Sequence, residues 1–97
     1  VTFQLKFTKE AQKELQDIKK FTIENWGLVQ ARKYLKTFNQ AFQMIKNNPK
    51  IGRLDLCNWP GIYRFPIQSH MVYYQLEGPC IYVMAILHQS MLPENHL

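Results

Sequence analysis

The chain has 97 residues, of which 46% are hydrophobic, and a formal net charge of +5. That length suits one domain with a single modest core, and that apolar content is normal for a globular protein and argues against a disordered chain. No apolar run approaches the roughly 20 residues of a membrane-spanning helix.

Phe3, Leu5 and Phe7 alternate with Gln4 and Lys6, the period of two that marks a strand with one buried face. Thr8 suits an N-cap, and Glu10 falls where the first helical turn favours an acid. Ala11, Leu15, Ile18, Phe21 or Thr22, and Trp26 then recur every three or four residues. They predict an amphipathic helix of about four turns. Asn25-Trp26-Gly27 ends it, because glycine accepts the positive φ of a helix terminus. A second helix follows at once, with Ala31, Tyr34 or Leu35, Phe38, Ala41 or Phe42, and Ile45 as its buried stripe. Asn47-Asn48-Pro49 closes it, since proline biases the residue before it away from helix. The short link implies an antiparallel helical hairpin.

Residues 50–60 show no period and are expected to form a loop. Three strands follow, over about 62–65, 71–76 and 81–87. Pro66, with no N–H to donate, is expected to stop the first of them. Gln68-Ser69 and Glu77-Gly78-Pro79 supply the turns. The last strand, IYVMAIL, is apolar on both faces and should be central. The tail, residues 89–97, is polar and holds Pro93 and His96.

The fold class is therefore α+β, in the order β-α-α-β-β-β. A helical hairpin packs on a small, mainly antiparallel sheet, and residues 1–97 are read as one domain. With no basic-then-apolar leader the chain reads as cytoplasmic, where Cys57 and Cys80 would remain plain thiols.

The positive charge is unevenly placed. Between Leu28 and Lys50 stand Arg32, Lys33, Lys36, Lys46 and Lys50, with no acid. Such a field favours an anionic partner, either nucleic acid or an acidic protein, though a solvated helix face would look the same. The stretch 61–74, GIYRFPIQSHMVYY, brings Arg64 and His70 toward one hairpin end. It is the first place to look for a site.

These pieces resemble the ParE/RelE toxin superfamily, the ParE branch most closely. The resemblance is carried by IKKFTIENWG at residues 18–27, by Gln30-Ala31 and Tyr34, and by Asn48-Pro49 with Gly52-Arg53. It continues through GIYRFPIQSHMVYY, Ile86-Leu87-His88, Met91 and the closing His96-Leu97. It implies a bacterial toxin encoded beside an antitoxin, and for the ParE branch an inhibitor of DNA gyrase that traps the cleavage complex. It also implies higher-order toxin–antitoxin assemblies. RelE-like members share the fold but cut mRNA on the ribosome.

RNA cleavage by a 2′-hydroxyl needs a base, an acid and cations for the phosphorane charge. His88, Arg64 and His70 are the candidates for that reading, with Arg53 and Lys50 nearby. Strand parity places His88 with Tyr82, Met84 and Ile86. The tail offers no aromatic residue to stack on a base, so the expectation is an inhibitory protein with no catalytic residue, metal or cofactor. The expected target contacts are Arg53, Arg64, His70, His88, Met91 and His96. Arg32, Lys33 and Lys36 would form a basic rim for an acidic, ParD-like antitoxin, with no sequence-specific nucleic-acid binding. The residues also admit plainer roles. Arg64 could pair with Glu77 or Asp55, and either histidine could bond a backbone carbonyl. Trp26 and Trp59 could be packing anchors, and Met84 and Met91 gap-fillers. A toxin fold that has lost toxicity and only binds its partner is a third possibility.

Overall fold

A computed structural model describes residues 3–55 and 60–91 of the chain. The elements run β1 (Gln4–Phe7), α1 (Lys9–Trp26), α2 (Leu28–Asn47), β2 (Arg53–Leu54), β3 (Tyr63–Ile67), β4 (His70–Glu77) and β5 (Cys80–His88). A single 3₁₀ turn, Gln89–Met91, follows. The five strands form one sheet in the order β1-β5-β4-β3-β2. β1 runs parallel to β5, and the other pairs are antiparallel. The α+β architecture is as expected, with one addition. Arg53 and Leu54, placed in a loop by the sequence, pair with Arg64 and Tyr63 as an edge strand. Two residues are too few to show a period.

Thr8 holds α1 to the sheet at both ends of its hydroxyl. Its oxygen caps the helix by accepting from the Ala11 N–H at 3.1 Å. Its O–H donates to the Met84 carbonyl at 3.1 Å. Gly27, at φ 83°, ends α1 and starts α2 in one residue. That left-handed conformation is one an L side chain adopts only with strain. The hairpin lays Ala11, Phe38, Ala41, Phe42 and Ile45 over Ile67, Val72, Tyr74, Ile81, Val83 and Ile86 of the sheet. Burial of these side chains, at roughly 25 cal/mol per Å² of apolar surface, is the main cohesive force.

Two strand-level expectations are corrected. Pro66 does not stop its strand: it sits inside β3 opposite Met71. β2 spans only two residues, so the missing N–H falls where β3 is itself an edge. Gln68 and Ser69 do form the turn, with Gln68 at φ 53°. The second correction concerns parity in β5. Tyr73 pairs with Ala85, but Tyr74 pairs with Val83, so Met84 is a bulged residue. The bulge inverts the alternation beyond it. Ile81 and Val83 before it and Ile86 after it are all buried in the core. His88 therefore lies on the face of Val83, opposite Tyr82. Met84 fills no gap and is 37% exposed.

Candidate functional site

Cross-strand partners share a face of a sheet, so the pairing sorts the candidate residues. Arg53 pairs with Arg64, Arg64 with Tyr73, and Tyr73 with Ala85. This row lies on the open face, away from the helices. Ile67 pairs with His70, and His70 with His88. This row lies under the helical hairpin. Arg64 and His70 share a hairpin but point to opposite sides of the sheet, so the three residues of the nuclease reading are not assembled at one site.

On the open face the Arg64 guanidinium lies 5.8 Å from the centre of the Tyr73 ring and 4.0 Å from the Asp55 carboxylate. Asp55 is buried, and its backbone N–H donates to the Ile62 carbonyl at 2.8 Å, closing the loop that carries it. Of the plainer roles for Arg64, pairing with Asp55 is the one observed. Arg53 stands exposed beside it, so two like charges face each other across β2 and β3. Such a pair is unfavourable unless an anion lies between or beside the charges. Lys6 adds a third cation on this face, 6.0 Å from the Tyr82 ring centre.

On the helix face the rings of His70 and His88 meet edge to face, with centroids 5.2 Å apart. Tyr34 of α2 reaches down to them. The Ser69 N–H and hydroxyl donate to the Tyr34 oxygen. The Tyr34 hydroxyl and His70 Nδ1 share a hydrogen bond at 2.9 Å. The Ser90 N–H donates to His88 Nδ1 at 3.1 Å, so that nitrogen carries no proton. That contact places the proton of a neutral His88 ring on Nε2. Among the described residues neither ring bonds a backbone carbonyl, the plainer role open to both. Burial, reinforced by the neighbouring His88, pushes His70 down to about 4, so it is neutral near pH 7. Burial raises Tyr34 above the usual phenol range against the pull of its Ser69 donors.

The two imidazoles form part of the floor of a pocket of about 320 Å³, lined also by Asp17, Ile18, Phe21, Thr22, Trp26, Tyr34 and Ser69. Here the sequence reading needs correction. Thr22 takes the core position of α1, while Phe21 and Trp26 are 57% and 48% exposed. Trp26 is not a core anchor: it meets Phe21 and Tyr34 edge-on at the rim. Asp17 had no visible role, and Phe21 and Thr22 were left as alternatives for one buried position, because a helical stripe records spacing, not which of two adjacent residues turns inward. A wide aromatic beside a small threonine was the available signal.

The other candidates fall as follows. Arg32, Lys33 and Lys36 are exposed on α2, and Lys50 is exposed in the turn after it. Met91 closes the 3₁₀ turn. His96, Cys57 and Trp59 lie outside the described residues. Cys80 is a free, partly buried thiol. Among the described residues no three His, Cys, Asp or Glu side chains cluster to hold a metal. No described helix is long and apolar enough to cross a membrane.

The chain matches, over residues 5–93, the family described as ParE toxin of type II toxin-antitoxin system, parDE. It is 30% identical over 92 residues to Toxin ParE1 of Caulobacter vibrioides, covering 95% of each chain. It is 34% identical over 88 residues to Toxin ParE1 of Mycobacterium tuberculosis, covering 90% of each. Among solved structures it resembles a chain of the chromosomal ParDE system from P. aeruginosa. The TM-score is 0.77 at 17% identity, over 90% of this chain and 96% of that one. A mutant of the E. coli toxin RelE in the free state has the same fold, at TM-score 0.63 and 16% identity, over 99% of this chain and 92% of that one.

Proposed function

We propose, from the premise that this chain belongs to the ParE toxin family of type II toxin–antitoxin systems, that it acts as a gyrase inhibitor and not as a ribonuclease. It would trap the gyrase–DNA cleavage complex and block replication. A cognate antitoxin would neutralise it in the cytoplasm. The observation that carries this reading is the division of the candidate residues between two faces. The cations Arg53 and Arg64 lie on the open face, and His70 and His88 lie under the helices. Phosphoryl chemistry requires base, acid and charge clamp around one phosphate. Contact with a protein–DNA complex requires only a complementary surface, and Arg53, Arg64 and Lys6 supply a cationic one.

The test uses purified gyrase and supercoiled plasmid. Linear, protein-linked DNA should accumulate with toxin, and the exposed Arg53→Glu should weaken the effect by about tenfold, the scale of 1–2 kcal/mol at a charged contact. No linear product at micromolar toxin would count against the proposal. The competing reading rests on the close His70–His88 pair. Cleavage of mRNA on programmed ribosomes that disappears in His88→Ala would establish it instead. Growth after induction without antitoxin would point to the non-toxic binding module.

A further inference from the structure

We infer that the pocket bounded by Phe21, Trp26 and Tyr34 receives an arginine side chain presented by the partner antitoxin. The inference rests on the reading of the chain as a toxin paired with an antitoxin, and it names a site and a ligand chemistry for that pairing. Three observations carry it.

The first is the aromatic rim. Phe21 and Trp26 are about half exposed near the turn end of the helical hairpin, and Leu28 and Val29 just past that turn are 52% and 70% exposed. Four large apolar residues in one place leave water-facing surface that a partner would cover. The second is charge. Among the described residues that line this pocket, Asp17 alone carries a formal charge, on a chain of net charge +5. The third is the state of His70. Its burial among the pocket's walls keeps that ring uncharged near pH 7, with the Tyr34 hydroxyl on its Nδ1 at 2.9 Å. Among the described residues the pocket therefore combines one carboxylate with aromatic walls and no Lys or Arg. A guanidinium suits that set: it stacks on an indole or phenyl face and takes a carboxylate through two parallel N–H donors.

The geometry also separates two tasks. Arg32, Lys33 and Lys36, exposed on α2, attract an acidic segment from a distance. A single cation seated at Asp17 fixes its register, because a neutral or acidic side chain at that point leaves the carboxylate unpaired.

Titration of the whole chain with N-acetyl-arginine amide, followed through the Trp26 indole N–H resonance, tests the site. Comparison with Trp26→Phe identifies that resonance. Saturable binding in the millimolar range is expected for so small a probe. N-acetyl-citrulline amide, the same shape without the charge, should bind about fivefold more weakly, the scale of an exposed cation–π contact plus ion pair. Asp17→Asn, at an exposed helix position, should erase that difference. Equal binding of the two probes, tighter binding of N-acetyl-glutamate amide, or no binding at all would overturn the site. In a second arm the antitoxin encoded beside the toxin is captured by wild-type and Asp17→Asn chains. Weaker capture by Asp17→Asn supports the assignment, and undiminished capture overturns it. A wild-type chain that captures no antitoxin refutes the toxin–antitoxin pairing itself.

Discussion

Tyr74 shows how one side chain ties the site's scaffold together. Its O–H donates to the Pro49 carbonyl at 2.7 Å, and its oxygen accepts from the Gly52 N–H at 3.0 Å. The exit from α2 is thus fastened to the middle of the sheet. A Cβ on Gly52 would come within 2.6 Å of the Tyr74 oxygen and 2.9 Å of the Arg64 carbonyl. Gly52→Ala should therefore destabilise the fold by about 1–3 kcal/mol, read as a lower urea midpoint, because backbone on one side cannot yield. Tyr74→Phe should cost a similar amount, about 1–3 kcal/mol, by leaving both backbone partners unpaired. The same measurement against pH isolates His70. Its folded-state pKa is lowered from 6.5 to about 4, so the unfolded chain binds the proton more readily. The associated stability is complete above pH 6.5 and is lost as pH falls towards 4. Allowing for solvent screening, the loss should be roughly 1–2 kcal/mol. His70→Gln should flatten that part of the curve. Glu14, whose carboxyl is raised by burial against the opposing Ile86 N–H, acts in the other sense: charging it as pH rises above 4.5 costs stability. An unchanged slope in His70→Gln would show that His70 is not the group that titrates.

At the scale of elements, β5 carries most of what the sequence could not announce. β1 ends at Phe7, and beyond it α1 takes over that edge. Thr8 reaches Met84, and the Glu14 carboxylate accepts from the Ile86 N–H at 2.9 Å. Thr8→Ala removes the cap and the tether together, and should lower stability by about 1–2 kcal/mol on thermal or urea unfolding. The helical hairpin, the strand order along the chain and the turns were legible. Ala31, Phe38 and Ile45 repeat at helical spacing, Gly27 and Pro49 punctuate the helices, and Gln68-Ser69 forms the turn. The bulge at Met84 was not legible. No glycine marks it, and IYVMAIL is apolar in either parity. One hidden residue thus reversed the facing of His88 and separated it from Tyr82. The site's other half was obscured by size. Ala11, Thr22 and Ala31 are all buried, and small side chains there let the two helices approach closely. The bulk of Phe21 and Trp26 is left outside, where a hydrophobic stripe would not place it.

For the molecule as a whole, charge and connectivity set the expected behaviour. The basic set on α2 should act on encounter with an acidic antitoxin more than on the finished complex. Raising salt should slow association and leave dissociation nearly unchanged. Replacing Arg32, Lys33 and Lys36 together with serine should cut the association rate by about tenfold at low salt in a stopped-flow or surface-binding experiment. A salt-independent on-rate would exclude that rim. Connectivity bears on the order in which the molecule is made. Thr8 and Met84 are 76 residues apart in the chain yet bonded to each other. Among the described strands β1 pairs only with β5, which emerges from the ribosome after the others. Until then β1 has no strand to pair with and α1 has α2 but no completed sheet beneath it, and the late, long-range pairing makes folding slow. A nascent or truncated chain lacking residues 80–88 would present neither the His70–His88 floor nor the covered side of the sheet. The toxin would become competent only once β5 has been made, leaving an interval in which antitoxin already present could bind it as it folds.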